Sequence, residues 1–396
     1  MTIWTRLTLG LTFTILIIVS FFGNVLVCIA VYSNSKLHKK ENFYFVSLAG
    51  ADLLLSVLVM PYSAISVITS EWLFGGYCKY WMCIDILCCT ASILHLAAIS
   101  YDRLEQIRDP LRYGEKMSIR KILSIIAAVW TISAVIAFLP LAFDTNFHRA
   151  LVAQRQSPSP RDTGVIFDNI TAYHATNDSR VVYQCYFNLD PLYAILSSLA
   201  SFYIPCALMM LAYTNLYLKA RQHSRAIRKQ REEVCIPLLF KPLIPVSASS
   251  TSSLLMPNGR PGKRLNKRKS FRRRIEGDYK ARVTVGVIVG AFLISWFPFF
   301  IANVAQSYCD QSDGPSGSSR PSNLYCLPDW LFITLTWMGY ANSAQNPIIY
   351  SIFNANFREA FRRILLCKRA RSPSTTAPWI MPDDEELRRR TTVSDM

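Results

Sequence analysis

Apolar residues gather along this chain into seven stretches, near 7–32, 43–68, 79–105, 121–143, 191–218, 281–306 and 328–352, each bounded by charged or turn residues. Each stretch meets the about 20 residues of helix needed to cross roughly 30 Å of bilayer hydrocarbon. The pattern predicts an all-α membrane protein, a bundle of seven transmembrane helices, and excludes a soluble enzyme or a disordered chain. The first run exceeds a typical signal core and lacks a basic start and a clear small-residue cleavage site, so it reads as a span rather than a removable leader. Beyond Tyr350, the segment Asn356-Phe357-Arg358-Glu359-Ala360-Phe361-Arg362-Arg363 predicts a short amphipathic helix lying on the inner leaflet and ending at Cys367, a palmitoylation candidate. The expected organisation is an outer N-terminus at 1–6, a seven-span domain at 7–352, an amphipathic helix at 353–367 and a cytoplasmic tail at 368–396. Long connections fall at 144–190 and 219–280.

Charge orients the bundle. The chain carries 43 Lys and Arg against 26 Asp and Glu, a net +17 that in a soluble protein would point to nucleic acid. Here 18 basic and 4 acidic residues lie between Lys219 and Arg282, in the connection between spans five and six. The connections Ser33–Glu41 and Asp102–Lys121 are basic too, so the positive-inside bias places all three in the cytoplasm, with the N-terminus outside and the C-terminus inside. Nucleic acid is therefore not an expected partner. The sequons at Asn169 and Asn177 fall on the predicted outer side, in a segment that reads as a flexible, solvated loop containing Ser157-Pro158-Ser159-Pro160. Of 11 cysteines, Cys78, Cys185, Cys309 and Cys326 lie outside, where three pairings are open. Cys78 with Cys185 and Cys309 with Cys326 is the favoured set, with free thiols as the alternative.

Polar groups inside the spans carry the chemistry. Ionised groups in hydrocarbon cost a few kcal/mol on insertion scales, about 2.5 to 3.5 at a helix centre, so acidic residues there are functional candidates. Asp52 and Asp85 lie deep in spans two and three, and Asp102 closes span three. Asp85 follows Cys78 by seven residues, about 10 Å of helix, a depth suited to a pocket open to the outside. No embedded Lys or Arg stands at that depth, so the carboxylate reads as a counter-ion for a cationic ligand; a carboxylate satisfied by a neighbouring helix is the alternative. Span five offers hydroxyls at Ser197, Ser198 and Ser201, which otherwise serve helix packing. Span six offers Phe292, Trp296, Phe299, Phe300 and Asn303 around Pro298, an aromatic wall beside a proline kink. A carboxylate, a hydroxyl row and an aromatic wall together describe a protonated amine bearing a polar aromatic ring. His95 reads as packed structure.

These residues resemble the rhodopsin-like class of G-protein-coupled receptors. The resemblance rests on Gly23-Asn24-Val25, Leu48-Ala49-Gly50-Ala51-Asp52, Asp102-Arg103, Trp130, Pro205, Tyr213, Phe292, Trp296, Pro298 and Asn346-Pro347-Ile348-Ile349-Tyr350, in order and in the right spans. Within the class it is similar to biogenic amine receptors, where Asp85 matches the amine counter-ion and Trp337-Met338-Gly339-Tyr340 the segment that supports it. The serines, Phe202-Tyr203-Ile204-Pro205 and Asn303 lean toward D1-like dopamine, beta-adrenergic and octopamine receptors. Ala91-Ser92-Ile93-Leu94-His95-Leu96, followed by Asp109-Pro110-Leu111-Arg112-Tyr113, looks like serotonin, trace-amine and dopamine receptors alike.

The resemblance implies a ligand set of Asp85, Cys89, Phe187, Ser197, Ser198, Ser201, Trp296, Phe299, Phe300, Asn303, Trp337 and Tyr340. It also implies an allosteric sodium pocket at Asp52, Ser92, Asn342, Ser343 and Asn346, with no other cofactor and no catalytic residues. The activation switch would run through Ile93, Pro205 and Phe292 to Asp102, Arg103, Tyr213 and Tyr350. Arg103 would pair with Asp102 and reach Asp278 or Glu276 at the foot of span six. The implied partners are a small-molecule amine, a heterotrimeric G protein, receptor kinases and arrestin, and membrane lipid; the implied location is the plasma membrane. The run Lys263–Arg274 reads either as a lipid or G-protein contact or as a solvated loop. Four departures stand out: Leu104 replaces the usual tyrosine after Arg103, Glu105-Gln106 follow where the family is commonly apolar, Ser295 stands for the frequent cysteine before Trp296 and reads as neutral, and the last outer loop is long. A transporter would show internal repeats or broken helices, and a membrane enzyme a metal cluster or nucleophile elbow; the sequence shows neither.

Overall fold

The computed structural model describes residues 2–109, 112–143, 151–156, 165–166, 180–185, 191–215, 217–218, 221–222, 286–308 and 327–366. Each of the seven apolar stretches forms a helix over its described residues. Span one is Ile3–Ser33, span two Lys40–Thr69, span three Tyr77–Arg108, span four Ile119–Phe143, span five Pro191–Asn215, span six Gly286–Tyr308 and span seven Asp329–Phe353. Spans one to six are long and apolar enough to cross a membrane. Span seven is more polar because it carries Asn342, Ser343, Gln345 and Asn346, three of them buried. Large apolar side chains such as Leu11, Phe22, Leu208 and Ile294 point outward, the inverse of a water-soluble surface and the condition for a lipid-facing one.

Polar side chains face inward and fasten the helices. Gly23 brings span one against span seven: a Cβ there would lie 2.9 Å from the Pro347 ring. One residue on, the Asn24 amide donates to the Ser343 carbonyl at 3.1 Å, satisfying a backbone group beside the proline-bearing turn. The Trp130 indole donates to Ser47 at 2.9 Å and ties span four to span two. Span two breaks at Val59 because Pro61 cannot donate a backbone bond, and the Trp81 indole of span three donates to the Val59 carbonyl at 3.1 Å. Span five widens into a π-helical turn at Leu199–Tyr203, just before Pro205.

The connection 144–190 differs from expectation. It contains an antiparallel sheet of β1 (Leu151–Gln156), β2 (Val165–Ile166) and β3 (Arg180–Cys185), in the order β2-β1-β3. β1 and β3 pair from Leu151↔Cys185 to Gln156↔Arg180, and this ladder satisfies backbone groups that a solvated loop would leave to water. β3 ends in the Cys78–Cys185 disulfide, Cα–Cα 5.8 Å, which tethers the sheet to the start of span three. The amphipathic helix forms at Ala355–Leu365. Its Asn354 cap accepts from the Asn356 and Phe357 amides, Phe357, Ala360 and Phe361 are buried, and Arg358, Arg362 and Arg363 face out. Glu359 pairs with Lys36 of the first connection at 3.0 Å and with Arg363.

Candidate functional site

A cavity opens between spans three, five, six and seven. Asp85 is its acidic centre, 7% exposed. The Tyr340 hydroxyl donates to one carboxylate oxygen at 2.7 Å and the Cys89 thiol to the other at 3.2 Å. Both partners are neutral, so they orient the carboxylate and, among the described residues, leave its charge uncompensated. An uncompensated carboxylate in a weakly screened site attracts a cation strongly.

Opposite Asp85, the span-five serines form a polar wall. The Ser201 hydroxyl donates to the Ser197 carbonyl at 2.6 Å, and Ser197 donates to the Ala194 carbonyl at 3.3 Å. Their free lone pairs are therefore acceptors. Ser198 instead accepts from the Asn303 amide of span six at 3.4 Å and keeps its own proton to donate. The π turn, closed by the Ile204 amide on the Leu199 carbonyl, accommodates the missing Pro205 donor. Aromatic rings close the cavity from span six. Phe300 stacks on Phe202 at 4.3 Å, and Trp296 meets Phe299 edge-on at 5.6 Å. Trp296 seats directly on the backbone of span seven, where a Cβ at Gly339 would lie 2.7 Å from the indole.

Of the residues expected to meet a ligand, Asp85, Cys89, Ser197, Ser198, Ser201, Trp296, Phe299, Phe300, Asn303 and Tyr340 line this one cavity. Trp337, also expected there, does not line the cavity: its ring stacks on Phe13 of span one at 3.8 Å and stands edge-on to Tyr340 at 5.5 Å. Phe187 lies outside the described residues. Ile86, Thr90, Tyr193 and Thr336 also line the cavity and were not anticipated. Each stands one helical turn from an anticipated residue or from another of these four, so helical period was the available signal.

Asp52 forms a second polar nest below the cavity. It is fully buried and accepts from Ser343 at 2.7 Å, Asn346 at 2.9 Å and Ser92 at 3.2 Å. Asn342 is buried nearby and makes no direct bond to it. The two carboxylate oxygens and two hydroxyl oxygens gathered here are the ligand type a hard cation prefers.

At the far end of span three, Arg103 approaches Asp102 at 4.0 Å, while Tyr113 donates to Asp102 at 2.7 Å. Burial and this bond to Asp102 push the Tyr113 phenol well above its ordinary range. Arg103 also donates to Gln106 at 2.8 Å, which gives one residue following Leu104 a direct contact with the switch. Ile93, Pro205, Phe292 and Tyr350 are buried between these two ends. The Tyr213 ring lies against span six, 2.9 Å from where a Cβ on Gly286 would stand. Asp278, Glu276, Cys309, Cys326, Asn169, Asn177 and Cys367 lie outside the described residues. His95 is packed, with Nδ1 2.6 Å from the Ala91 carbonyl and its ring edge-on to Trp130.

The family model of the 7 transmembrane receptor (rhodopsin family) matches residues 23–157 and 164–350. The chain belongs to that family, a class of multi-pass membrane receptors rather than enzymes. It is similar to Dopamine receptor 1 of Drosophila melanogaster, 35% identical over 379 residues, 95% of this chain and 64% of the fly protein. It is also similar to the D(1A) dopamine receptor of Didelphis virginiana, 38% identical over 357 residues, 90% of this chain and 72% of the relative. The 5-hydroxytryptamine receptor 1 of Aplysia californica is 34% identical over 383 residues, covering 92% of this chain and 74% of that receptor. The chain thus spans just under two thirds of the length of the fly relative.

Proposed function

We propose that this protein is a G-protein-coupled receptor for a biogenic amine, dopamine or another catecholamine-like amine. The observation that carries the reading is the uncompensated Asp85 carboxylate facing a serine wall across an aromatic cavity. A protonated amine would pair with Asp85, stack its ring against Trp296, Phe299 and Phe300, and place ring hydroxyls against Ser197, Ser198 and Ser201. The similarity to D1-like dopamine receptors supports dopamine, and the similarity to a molluscan serotonin receptor makes serotonin the second reading.

Ligand binding would act as a bias on a two-state bundle. A ligand shifts such an equilibrium only through its differential affinity for the two states. Drawing span five inward would repack Ile93, Pro205 and Phe292 beneath Trp296, swing the end of span six outward, and release Arg103 for a G-protein helix. We place the N-terminus and the disulfide-bonded sheet outside the plasma membrane, and the Arg103 end and C-terminus in the cytoplasm. In that orientation Asn169 and Asn177 are available for glycosylation, Cys367 for palmitoylation, and the tail for receptor kinases and arrestin. Cys309 and Cys326 would close the last outer loop, and a sodium ion would sit at Asp52. The test is a second-messenger screen of cells expressing the full chain against dopamine, octopamine, tyramine, noradrenaline and serotonin. A response to a catecholamine at lower concentration than to serotonin is expected; serotonin as the most potent ligand would move the assignment to the second reading, and no response to any amine would overturn it.

A further inference from the structure

Ser295 stands one residue before Trp296 in span six and is 2% exposed. From the sequence its hydroxyl looks like a neutral substitute for a thiol. In the fold it has a partner in another span: the Gln345 amide of span seven donates to Ser295 Oγ at 3.2 Å. The location gives this bond mechanical meaning. Pro298 has no backbone N–H to offer the carbonyl four residues back, at Ile294, so span six is weakest in the turn that contains Ser295. Above the bond, Trp296 is pressed onto Gly339 of span seven; below it, span seven continues directly into Asn346, which bonds Asp52, and Pro347. The hinge turn of span six is thereby held to the part of span seven that is fixed to the centre of the bundle.

We propose that Ser295 and Gln345 form a strap across the hinge of span six that stabilises the closed arrangement and sets the resting activity. They are positioning residues. Neither needs to touch a ligand, and Gln345 does not line the cavity. A hydroxyl is a far better acceptor than the thiol it stands for, so the strap is specific to a serine at this position. Outward movement of span six about Pro298 carries Ser295 away from Gln345 and breaks the bond, so the bond favours the closed state by its net strength. The inference rests on the two-state receptor reading for its functional consequence, but the strap itself can be tested without a ligand.

The experiment compares wild type, Ser295→Ala, Gln345→Met and the double variant of the full chain; Gln345→Met keeps the length of the side chain and removes the donor. Hydrogen–deuterium exchange of the ligand-free protein in nanodiscs reads the span-six segment 286–308. In cells, basal second-messenger output is read at matched surface expression. Exchange in that segment should rise about two- to tenfold in either single variant, the range a neutral hydrogen bond supplies, and no further in the double variant. Basal output should rise in the same order, with Ser295→Cys between wild type and Ser295→Ala. Unchanged exchange in both single variants, or effects that multiply in the double variant, would overturn the strap. Faster exchange with unchanged basal output would overturn its role in setting activity. Because exchange needs no amine, a receptor silent to every amine tested would count against the ligand assignment and leave this result standing. If Ser295→Ala does not fold, Gln345→Met and Ser295→Cys carry the same comparison.

Discussion

At the residue scale, Asp85 and its partners make the sharpest claim. Replacing Asp85 by Asn keeps an acceptor for Tyr340 but removes the charge that attracts an ammonium group. Truncating one partner of a buried charge pair costs about 2–5 kcal/mol, so amine affinity should fall by at least about thirtyfold while surface expression persists. Radioligand competition checks this, and affinity retained within about threefold would exclude Asp85 as the counter-ion. The serines divide by hydrogen-bond role: only Ser198 keeps its proton to donate, so Ser198→Ala should weaken dopamine about two- to tenfold more than phenethylamine. Equal losses for both amines would mean that Ser198 merely packs. Both residues were legible in the sequence because a carboxylate in hydrocarbon and a hydroxyl row stand out by chemistry alone. What failed was angular resolution. Trp337 lies three residues from Tyr340, about 60° around the helix, and that turns its ring onto Phe13; Thr336, four residues away, faces the cavity.

At the scale of elements, the apolar runs located the described parts of the seven spans to within a few residues, because hydrocarbon thickness fixes their length. The irregular features were less visible. The Val181-Val182 run in β3 favours a strand, but its pairing with β1 closes only through residues about 30 positions apart and the tether at Cys78, which no local pattern encodes. The π turn is likewise set by Pro205 and packing rather than by a distinct motif. Gly339 was legible only as part of a family segment, and its physical role is contact between spans six and seven. Gly339→Ala would drive a methyl to within 2.7 Å of the buried Trp296 indole, so the ring or one of the two helices must shift. Overpacking of this kind costs about 1–3 kcal/mol. The antagonist-bound variant should therefore lose thermal stability, measured as heat inactivation of radioligand binding, and Gly339→Val should lose more. Wild-type stability in both variants would show that Trp296 moves freely.

At the scale of the whole molecule, two equilibria would connect the cavity to the Arg103 end of the proposed two-state bundle, and each gives a prediction. The first is set by the nest at Asp52. A cation held there stabilises the closed bundle if the nest contracts or loses oxygens on activation, so sodium should lower agonist affinity and leave antagonist affinity nearly unchanged. Asp52→Asn should abolish that sodium effect; a sodium effect that survives the substitution would place the ion elsewhere. The second equilibrium is coupling. We propose that it runs through a stimulatory G protein and raises cyclic AMP, because the Ser197-Ser198-Ser201 and Phe202-Tyr203-Ile204-Pro205 segment resembles D1-like and beta-adrenergic receptors. Neither the length nor the charge of the 219–280 connection decides the matter, since basic connections serve receptors of every coupling class. The proposed switch would be built from Asp102, Arg103 and Tyr113, which lie in contact, with Gln106 as an added acceptor that holds Arg103 along its own helix. That contact competes with the extended Arg103 a G protein needs, so Gln106→Leu should increase the agonist-stimulated cyclic AMP response about twofold or more, within the range of one hydrogen bond to a charged group. Cyclic AMP measured with and without forskolin, together with calcium release, separates the outcomes. A rise in cyclic AMP that Gln106→Leu enlarges supports both coupling and the competing contact. A pertussis-toxin-sensitive fall, or calcium release alone, would replace the stimulatory G protein while leaving the amine site intact, because Asp85 and Arg103 act at opposite ends of span three and are tested by different measurements.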